Sequence, residues 1–175
     1  MRIIAGRWRG RVIDAPPGRA TRPTSDRVRE AWMSAAESLL RDARVLDLFA
    51  GSGALGLEAL SRGARSVTFV ERAGPAVRTL KANIERLGAT PQATVVRADA
   101  MAFVRRLTPG QFDVVFADPP YGEGLAAALA REFQERPFAD WLWIEHNARE
   151  PMPQGEGIRS RRYGDTMVTA IPAGA

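Results

Sequence analysis

The 175-residue sequence contains no cysteine, one histidine and one lysine. The absence of cysteine excludes disulfide bonds and thiolate metal sites, and a single histidine excludes a cluster of histidine ligands. We therefore predict no metal site, so that catalysis must use carboxylates, amides, backbone groups and aromatic rings. Uncharged stretches such as residues 48–57 are about half as long as a membrane-spanning helix. Arg7, Arg9 and Arg11 would interrupt the apolar region of a signal peptide. These absences predict a cytoplasmic protein without a membrane partner.

The composition is that of one folded domain. Hydrophobic residues make up 45% and charged residues 26% of the chain, which is typical of globular proteins and too apolar for a disordered chain. The net charge of +5 lies entirely in residues 1–44, which hold ten arginines against five acidic residues. Because guanidinium groups match phosphate geometry, this segregation favours a polyanionic partner over a simple preference for arginine.

Short apolar runs alternate with helical patterns over most of the chain. Such alternation predicts an α/β, Rossmann-like fold, with a mostly parallel, doubly wound sheet that is covered on both faces. A C-terminal hairpin over residues 159–163 and 166–171 is expected to add antiparallel strands at one edge. The predicted strands are residues 45–49, 67–70, 94–96, 114–117 and 141–144, and the helices between them begin near Gly53, Pro75, Asp99 and Gly122.

The N-terminal region differs from this pattern. Residues 1–13 predict a small β-hairpin, and residues 14–21 predict a proline-containing linker. Thr24, Ser25 or Asp26 then caps a helix that extends to about Leu40. We therefore divide the chain into a basic N-terminal arm, residues 1–21, and a catalytic domain, residues 22–175.

A glycine-rich loop follows the first predicted strand. Gly51, Gly53 and Gly56 form a G-x-G-x-x-G pattern that leads into a helix, where exposed backbone N–H groups favour an anionic group. Glu71 ends the next strand, 20 residues after Gly51, where a carboxylate can accept both hydroxyls of a ribose. The loop alone fits both a nicotinamide dinucleotide and S-adenosyl-L-methionine.

Two further acidic residues lie at strand ends near this loop. Asp47 favours S-adenosyl-L-methionine, because a carboxylate suits the cationic amino acid part of that cofactor. Asp47 could equally accept a hydrogen bond from the loop backbone. Asp99 follows the third strand, where the adenine of the cofactor would lie, and it could also cap the next helix.

The sequence Asp118-Pro119-Pro120-Tyr121 emerges at the carboxyl end of the fourth strand, the edge of a parallel sheet where ligands bind. The prolines fix the backbone and remove N–H donors, which leaves the Asp118 carboxylate and the Pro119 carbonyl as two acceptors. Two acceptors at one point suit an NH₂ group whose nitrogen attacks a sulfonium methyl, while Tyr121 stacks on the base. The alternative is a structural proline turn, but the glycine loop and Glu71 favour the functional interpretation.

The glycine loop and the Asp-Pro-Pro-Tyr motif together resemble those of amino-methyltransferases that use S-adenosyl-L-methionine. More narrowly, residues 2–6, residues 8–11, Arg22-Pro23-Thr24 and residues 26–30 resemble the RsmD family of 16S rRNA guanine-N2 methyltransferases. The resemblance spans nearly the whole chain and implies the fold of S-adenosylmethionine-dependent methyltransferases. It also implies methylation of the N2 amine of guanine 966 within an assembled or partly assembled small ribosomal subunit. We expect the enzyme to be a monomer.

The resemblance also implies roles for individual residues. Asp118, Pro119 and Tyr121, with Pro120 in the same motif, would form the catalytic group that holds the guanine amine. Gly51, Ser52, Gly53, Glu71 and Asp99 would bind S-adenosyl-L-methionine, together with Asp47. The predicted RNA contacts are Arg7, Arg9, Arg11, Arg22, Arg27 and Arg29.

Other functions are compatible with parts of this pattern. A DNA adenine or cytosine amino-methyltransferase shares the Asp-Pro-Pro-Tyr chemistry, but this chain has little room for a target-recognition region. A protein glutamine methyltransferase would not need the basic arm. A non-catalytic rRNA-binding assembly factor could retain the fold, and a NAD-dependent dehydrogenase would need a substrate domain and a proton relay.

Several residues are predicted to be structural. Glu58 and Arg62, four apart on a helix, are expected to form a weak surface ion pair. His146 is expected at the surface or at a strand end rather than in catalysis. Trp8 either anchors the N-terminal hairpin or stacks on RNA.

Overall fold

The computed structural model describes residues 1–16 and 26–175. Within these residues, helices and strands alternate as the sequence predicts. The helices are α1 (Asp26–Ala35), α2 (Glu37–Leu40), α3 (Ala54–Ser61), α4 (Gly74–Arg86), α5 (Ala100–Val104) and α6 (Leu125–Glu135). The strands are β1 (Arg44–Leu48), β2 (Ser66–Val70), β3 (Ala93–Val96), β4 (Val114–Ala117), β5 (Trp141–Asn147), β6 (Arg159–Tyr163) and β7 (Thr166–Pro172).

The strands form one sheet in the order β3-β2-β1-β4-β5-β7-β6. Strands β1 to β5 are parallel, whereas β7 is antiparallel to both β5 and β6. The chain moves outward in one direction from β1 to β3 and in the other from β4 to β5. The topological switch therefore lies between β1 and β4, and the predicted doubly wound sheet with a C-terminal hairpin is confirmed.

The strands are apolar on both sides because helices cover both faces of the sheet. Val45 of β1 and Val114 of β4 pack into a core that includes α1, α3, α4 and the N-terminal residues. Their neighbours Leu46 and Val115 point to the opposite core, which includes α5 and α6. Strand boundaries agree with the predictions to within three residues. The predicted helix up to Leu40 is divided at Ala36, and the proposed caps Thr24 and Ser25 lie outside the described residues.

The N-terminal segment, residues 1–16, packs against the rest of the fold. Its predicted hairpin forms a single antiparallel bridge between Arg2 and Val12, and Ile3, Trp8 and Ile13 are buried in the core beside α3. Trp8 thus anchors this segment. The predicted boundary at residue 21 falls within residues 17–25, which lie outside the described part of the chain. The division into an arm and a catalytic domain therefore stays a prediction.

Helix α3 binds the backbone of the N-terminal segment through Glu58 and Ser61. The Ser61 hydroxyl accepts the N–H of Trp8 at 3.0 Å and donates to the Ala5 carbonyl at 2.6 Å. The Glu58 carboxylate accepts the N–H groups of Ile4 and Ala5, each at 2.9 Å, and also the Nε of Arg62 at 3.0 Å. The Glu58 and Arg62 side chains are 0% and 3% exposed, so the predicted weak surface pair is wrong. These two residues form a buried ion pair because the N-terminal segment covers them.

Gly6 shows how closely the N-terminal segment approaches α3. Its φ is +81°, and a Cβ at this position would lie 1.9 Å from the carbonyl oxygen of Ser61. Only glycine permits both this conformation and this contact. In the described part of the chain, no helix is long and apolar enough to cross a membrane.

Candidate active site

The sheet register brings the two sequence motifs to the same edge. Leu48, the last residue of β1, pairs with Val70 of β2 on one side and with Ala117 of β4 on the other. The glycine loop, Glu71 and Asp118 follow these three residues directly in the chain. They therefore meet at the topological switch, where open parallel sheets bind ligands.

The glycine loop makes a tight turn against α4 and β2. Gly53 has a φ of +83°, and a Cβ there would lie 2.4 Å from Cδ1 of Leu80. A Cβ on Gly56 would lie 2.3 Å from the Phe69 ring, so this glycine lets α3 pack closely on β2. Phe49 also has a positive φ, +59°, a conformation that costs a side-chain-bearing residue about 1–2 kcal/mol. Such strain is common at functional sites.

Glu71 holds the glycine loop to the start of α4. Its buried carboxylate accepts the N–H of Gly51 at 2.9 Å and the N–H of Ala73 at 2.8 Å. The predicted position of Glu71 at the end of the second strand is confirmed, since it directly follows β2. Its contact with a ribose stays a prediction.

Asp47 and Asp99 both accept hydrogen bonds from the backbone, which is the predicted alternative to cofactor contact for each of them. Asp47 is 1% exposed and accepts the N–H of Gly56 at 2.9 Å. Burial raises the pKa of the Asp47 carboxyl well above its ordinary value, and the charges of Asp118 and Glu71 add to this effect. Asp99 is exposed and caps α5 by accepting the N–H of Ala102. The proposed contacts of both residues with a cofactor stay predictions.

The Asp118-Pro119-Pro120-Tyr121 segment lies beside the glycine loop with Asp118 partly exposed and Pro119 buried. Tyr121 is 41% exposed. Its hydroxyl donates to Oε1 of Glu145 at 3.0 Å, and the Thr166 hydroxyl lies 3.0 Å from the Tyr121 hydroxyl oxygen. Burial, with the nearby Glu145 carboxylate, raises the pKa of Tyr121 above its ordinary value. The phenol is therefore neutral at physiological pH and is held in place by β5 and by the start of β7.

Sequence reasoning missed Glu145 and Thr166. Glu145 is a buried acid near the carboxyl end of β5, so the rule that selected Asp47, Glu71 and Asp118 could also have found it. Thr166 carries no comparable signal, because its contact with Tyr121 arises only when β7 folds back antiparallel to β5.

His146 lies near the end of β5, which is one of its two predicted positions, but it does not lie at the surface. It is 2% exposed, and its ring nitrogens contact Thr169 Oγ1 at 2.8 Å and the backbone oxygen of Asn147 at 2.9 Å. Burial lowers the pKa of the imidazole. The expected surface position of His146 is therefore wrong, since β7 covers this part of β5.

The predicted RNA-binding arginines fall into distinct groups. Arg29 is 1% exposed and donates to the Arg2 carbonyl and to Asp26. The prediction for Arg29 is corrected, because a buried side chain with these partners does not reach RNA. Arg22 lies outside the described residues.

The other four arginines are exposed. Arg7 stacks on Trp8, with its guanidinium 4.0 Å from the ring centroid, and donates to Gln92. Arg11 donates to the Arg86 carbonyl at 2.8 Å. Arg9 and Arg27 make no side-chain hydrogen bond or ion pair with another described residue. Of the five predicted arginines that the structure describes, these two are the best placed to contact a polyanion.

The sequence matches, over residues 1–171, a family described as Conserved hypothetical protein 95. Over 126 residues it is 45% identical to ribosomal RNA small subunit methyltransferase D of Escherichia coli K12. The chain belongs to this family, the RsmD family. That alignment covers 71% of this RsmD-family chain and 62% of the E. coli protein, less than two thirds of its length.

Two other relatives align over almost their whole length. YlbH of Bacillus subtilis strain 168 is 37% identical over 177 residues, which cover 96% of each protein. The solved structure of E. coli yhhF is 34% identical and has a TM-score of 0.85. The match covers 100% of this chain and 98% of that chain.

A more distant solved structure shares the fold alone. It is an RNA methyltransferase from Salinibacter ruber in complex with S-adenosyl-L-homocysteine. Its TM-score is 0.66 at 14% identity, with 86% of this chain and 92% of that chain covered. The Rossmann-like methyltransferase fold implied by the sequence motifs is therefore confirmed.

Proposed function

We propose that this protein is an rRNA methyltransferase that transfers a methyl group from S-adenosyl-L-methionine to the N2 amine of guanine 966 in 16S rRNA. The observation that carries the proposal is the register of β1 with β4, which brings the glycine loop and Asp118 to one sheet edge. Membership of the RsmD family supports rRNA as the substrate. We further propose that the enzyme acts as a monomer on an assembled or partly assembled small subunit.

The residues at this edge fit S-adenosyl-L-methionine. Gly53 lets the loop turn tightly against Leu80 of α4, and glycines allow the backbone of such a loop to approach a ligand closely. Burial raises the pKa of Asp47, and the nearby charges of Asp118 and Glu71 raise it further. A cationic ligand would relieve this repulsion, which favours S-adenosyl-L-methionine over an anionic dinucleotide. The loop and Glu71 would hold the nucleoside, and Asp47 would face the cationic part.

In the proposed reaction, Asp118 and Pro119 orient the target amine. One N–H of the amine donates to the Asp118 carboxylate and the other to the Pro119 carbonyl, which directs the nitrogen lone pair out of the base plane. Tyr121, fixed by Glu145 and Thr166, stacks on the base. When bound, S-adenosyl-L-methionine supplies an electrophilic methyl group on a positively charged sulfur. The Asp118 carboxylate stabilises the charge that develops on the nitrogen and takes up the released proton.

The direct test is incubation of the protein with methyl-labelled S-adenosyl-L-methionine and small ribosomal subunits that lack the modification. Digestion of the rRNA should yield labelled N2-methylguanosine from one position. We expect Asp118→Ala to lower kcat by at least a hundredfold, because it removes an acceptor that acts mainly in the transition state. Binding of subunits by this variant should stay within about twofold of wild type.

Other labelled products would identify other functions. Labelled N6-methyladenosine would retain the chemistry and overturn the guanine assignment. Label in DNA or in protein glutamine would replace the substrate class. A protein that binds subunits but transfers no methyl group would be an assembly factor, and the loss of subunit binding in Asp118→Ala would support that function.

A further inference from the structure

One buried amide in α4 joins the glycine loop to the N-terminal segment. Asn83 is 0% exposed. Its Oδ1 accepts the N–H of Asp14 at 2.9 Å, and its Nδ2 donates to the Asp14 carbonyl and to the Ser52 carbonyl, each at 3.0 Å. The side chain thus uses both of its N–H donors and its oxygen. Asn83 holds together two parts of the chain that are assigned to different ligands.

The surrounding residues of α4 serve the same two parts. Leu80, one turn before Asn83, lies directly under Gly53 of the loop. Arg86, one turn after Asn83, donates to the Asp14 carboxylate at 2.6 Å and accepts from Arg11 through its carbonyl. Residues three apart share one helix face. A single face of α4 therefore sets the position of the glycine loop relative to residues 11–14.

The chemistry of the site requires an amide. Asp14 presents both an N–H and a carbonyl to Asn83, and Ser52 presents a second carbonyl. An aspartate at position 83 could accept the N–H but would place an oxygen against two carbonyl oxygens. Leaving buried polar groups unpaired costs about 1–3 kcal/mol each, so the effect on the loop should be measurable.

We infer that Asn83 is a positioning residue that couples cofactor binding at the glycine loop to RNA binding at the N-terminal segment. The inference rests on the proposed function, because it takes the loop as the cofactor site and Arg9 as part of the RNA contact. RNA bound to the N-terminal segment would further restrict residues 11–14 and, through Asn83, the backbone at Ser52, and the loop would then bind the cofactor more tightly. By linkage, the cofactor must raise the affinity for RNA by the same factor.

The test measures the Kd of S-adenosyl-L-homocysteine by calorimetry, with and without saturating small subunits, for wild type and for Asn83→Asp. For wild type we expect binding several-fold tighter in the presence of subunits. For Asn83→Asp we expect binding about tenfold weaker without subunits, which corresponds to the loss of about 1.4 kcal/mol, and no gain when subunits are added. Thermal melting shows whether each variant is folded. Asn83→Ser, which is smaller and uncharged, replaces Asn83→Asp if that variant does not fold.

Lys81→Gln is the matched control, since Lys81 is an exposed residue of α4 that lies two positions from Asn83 and therefore on another face of the helix. It should keep the wild-type gain. Failure of wild type to bind either ligand would overturn the proposed function. Binding of both ligands without a mutual effect, or a variant at position 83 that keeps the full effect, would overturn only the coupling.

Discussion

At the scale of single residues, the carboxyl groups of Asp47, in β1, and Asp113, just before the adjacent strand β4, lie in opposite environments. Asp47 is buried near two other acids, which raises its pKa. Asp113 precedes β4 and accepts hydrogen bonds from the Arg44 side chain and backbone, which lowers its pKa. A raised pKa means that the charged carboxylate weakens the fold. Asp47 therefore lowers the stability of the fold. A role in ligand binding explains why such a residue lies at the carboxyl edge of the sheet.

We expect Asp47→Asn to stabilise the free protein at pH 7 while weakening the binding of S-adenosyl-L-homocysteine about tenfold. The asparagine oxygen can still accept the Gly56 N–H, but the repulsion from Asp118 and Glu71 is gone. The folded pKa lies above the unfolded one, so the wild-type protein loses stability as the pH rises from the ordinary aspartate value to the raised value. The advantage of the variant should therefore emerge over that window and stay constant above it. Thermal melting between pH 4 and 8 and calorimetry measure these two effects.

Asp113→Asn should have the opposite sign. Its lowered pKa contributes stability that is present above the ordinary aspartate value and is lost as the pH falls through the folded value. This variant should melt below wild type at pH 7. An Asp47→Asn protein that melts below wild type at pH 7, or that binds S-adenosyl-L-homocysteine unchanged, would refute the role given to Asp47.

At the scale of elements, the N-terminal segment and α3 depend on each other. The Glu58 carboxylate serves three donors, two from the backbone of residues 4 and 5 and one from Arg62. The segment has little regular secondary structure of its own, so these bonds and its three buried apolar side chains hold it in place. Removing residues 1–13 would expose the buried ion pair as well as part of the core. The segment is thus a structural part of the fold as well as a proposed RNA contact.

Glu58→Gln tests this dependence. The amide leaves one oxygen for three donors and removes the nearer carboxylate from the buried Arg62, whose other partner, Glu37, is exposed and 3.8 Å away. We expect this to cost about 3–5 kcal/mol. At about 2–4 °C per kcal/mol for a chain of this size, we expect the melting temperature to fall by roughly 6–20 °C. Glu132→Gln is the matched control because Glu132 and Arg136 have the same i,i+4 spacing but are 24% and 35% exposed. It should cost less than about 1 kcal/mol, and equal losses for the two variants would contradict the proposed anchoring.

How much of these elements could be predicted depends on the sequence distance between partners. Apolar runs and turn residues act locally, so the strands, the glycine loop and the Asp-Pro-Pro-Tyr motif were found. Glu58 contacts a residue 54 positions away, and Asn83 contacts residues 31 and 69 positions away. Helical spacing relates a residue only to its neighbours, and for Glu58 it indicated a solvated face. The buried polar contacts needed the assembled fold.

At the scale of the whole molecule, the positive charge and the candidate active site are connected through the N-terminal segment. The net charge of +5 lies in residues 1–44, but burial and internal bonds engage part of it, as with Arg29. Arg9 and Arg27 remain exposed. The surface proposed to bind RNA is therefore smaller than the arginine count suggests, and these two residues should account for a measurable part of it.

We expect the double variant Arg9→Gln, Arg27→Gln to bind small subunits more weakly and with less dependence on salt. Each phosphate contact contributes about 0.7–0.9 to the slope of log K against log salt concentration, so the slope should fall by about 1.5. Titrations at several salt concentrations measure it. Arg105 and Arg106 are also exposed, but they follow α5, which packs on the opposite face of the sheet from the N-terminal segment, so replacing both with glutamine should leave the slope unchanged. If the two double variants change the slope equally, general charge rather than the N-terminal surface drives RNA binding.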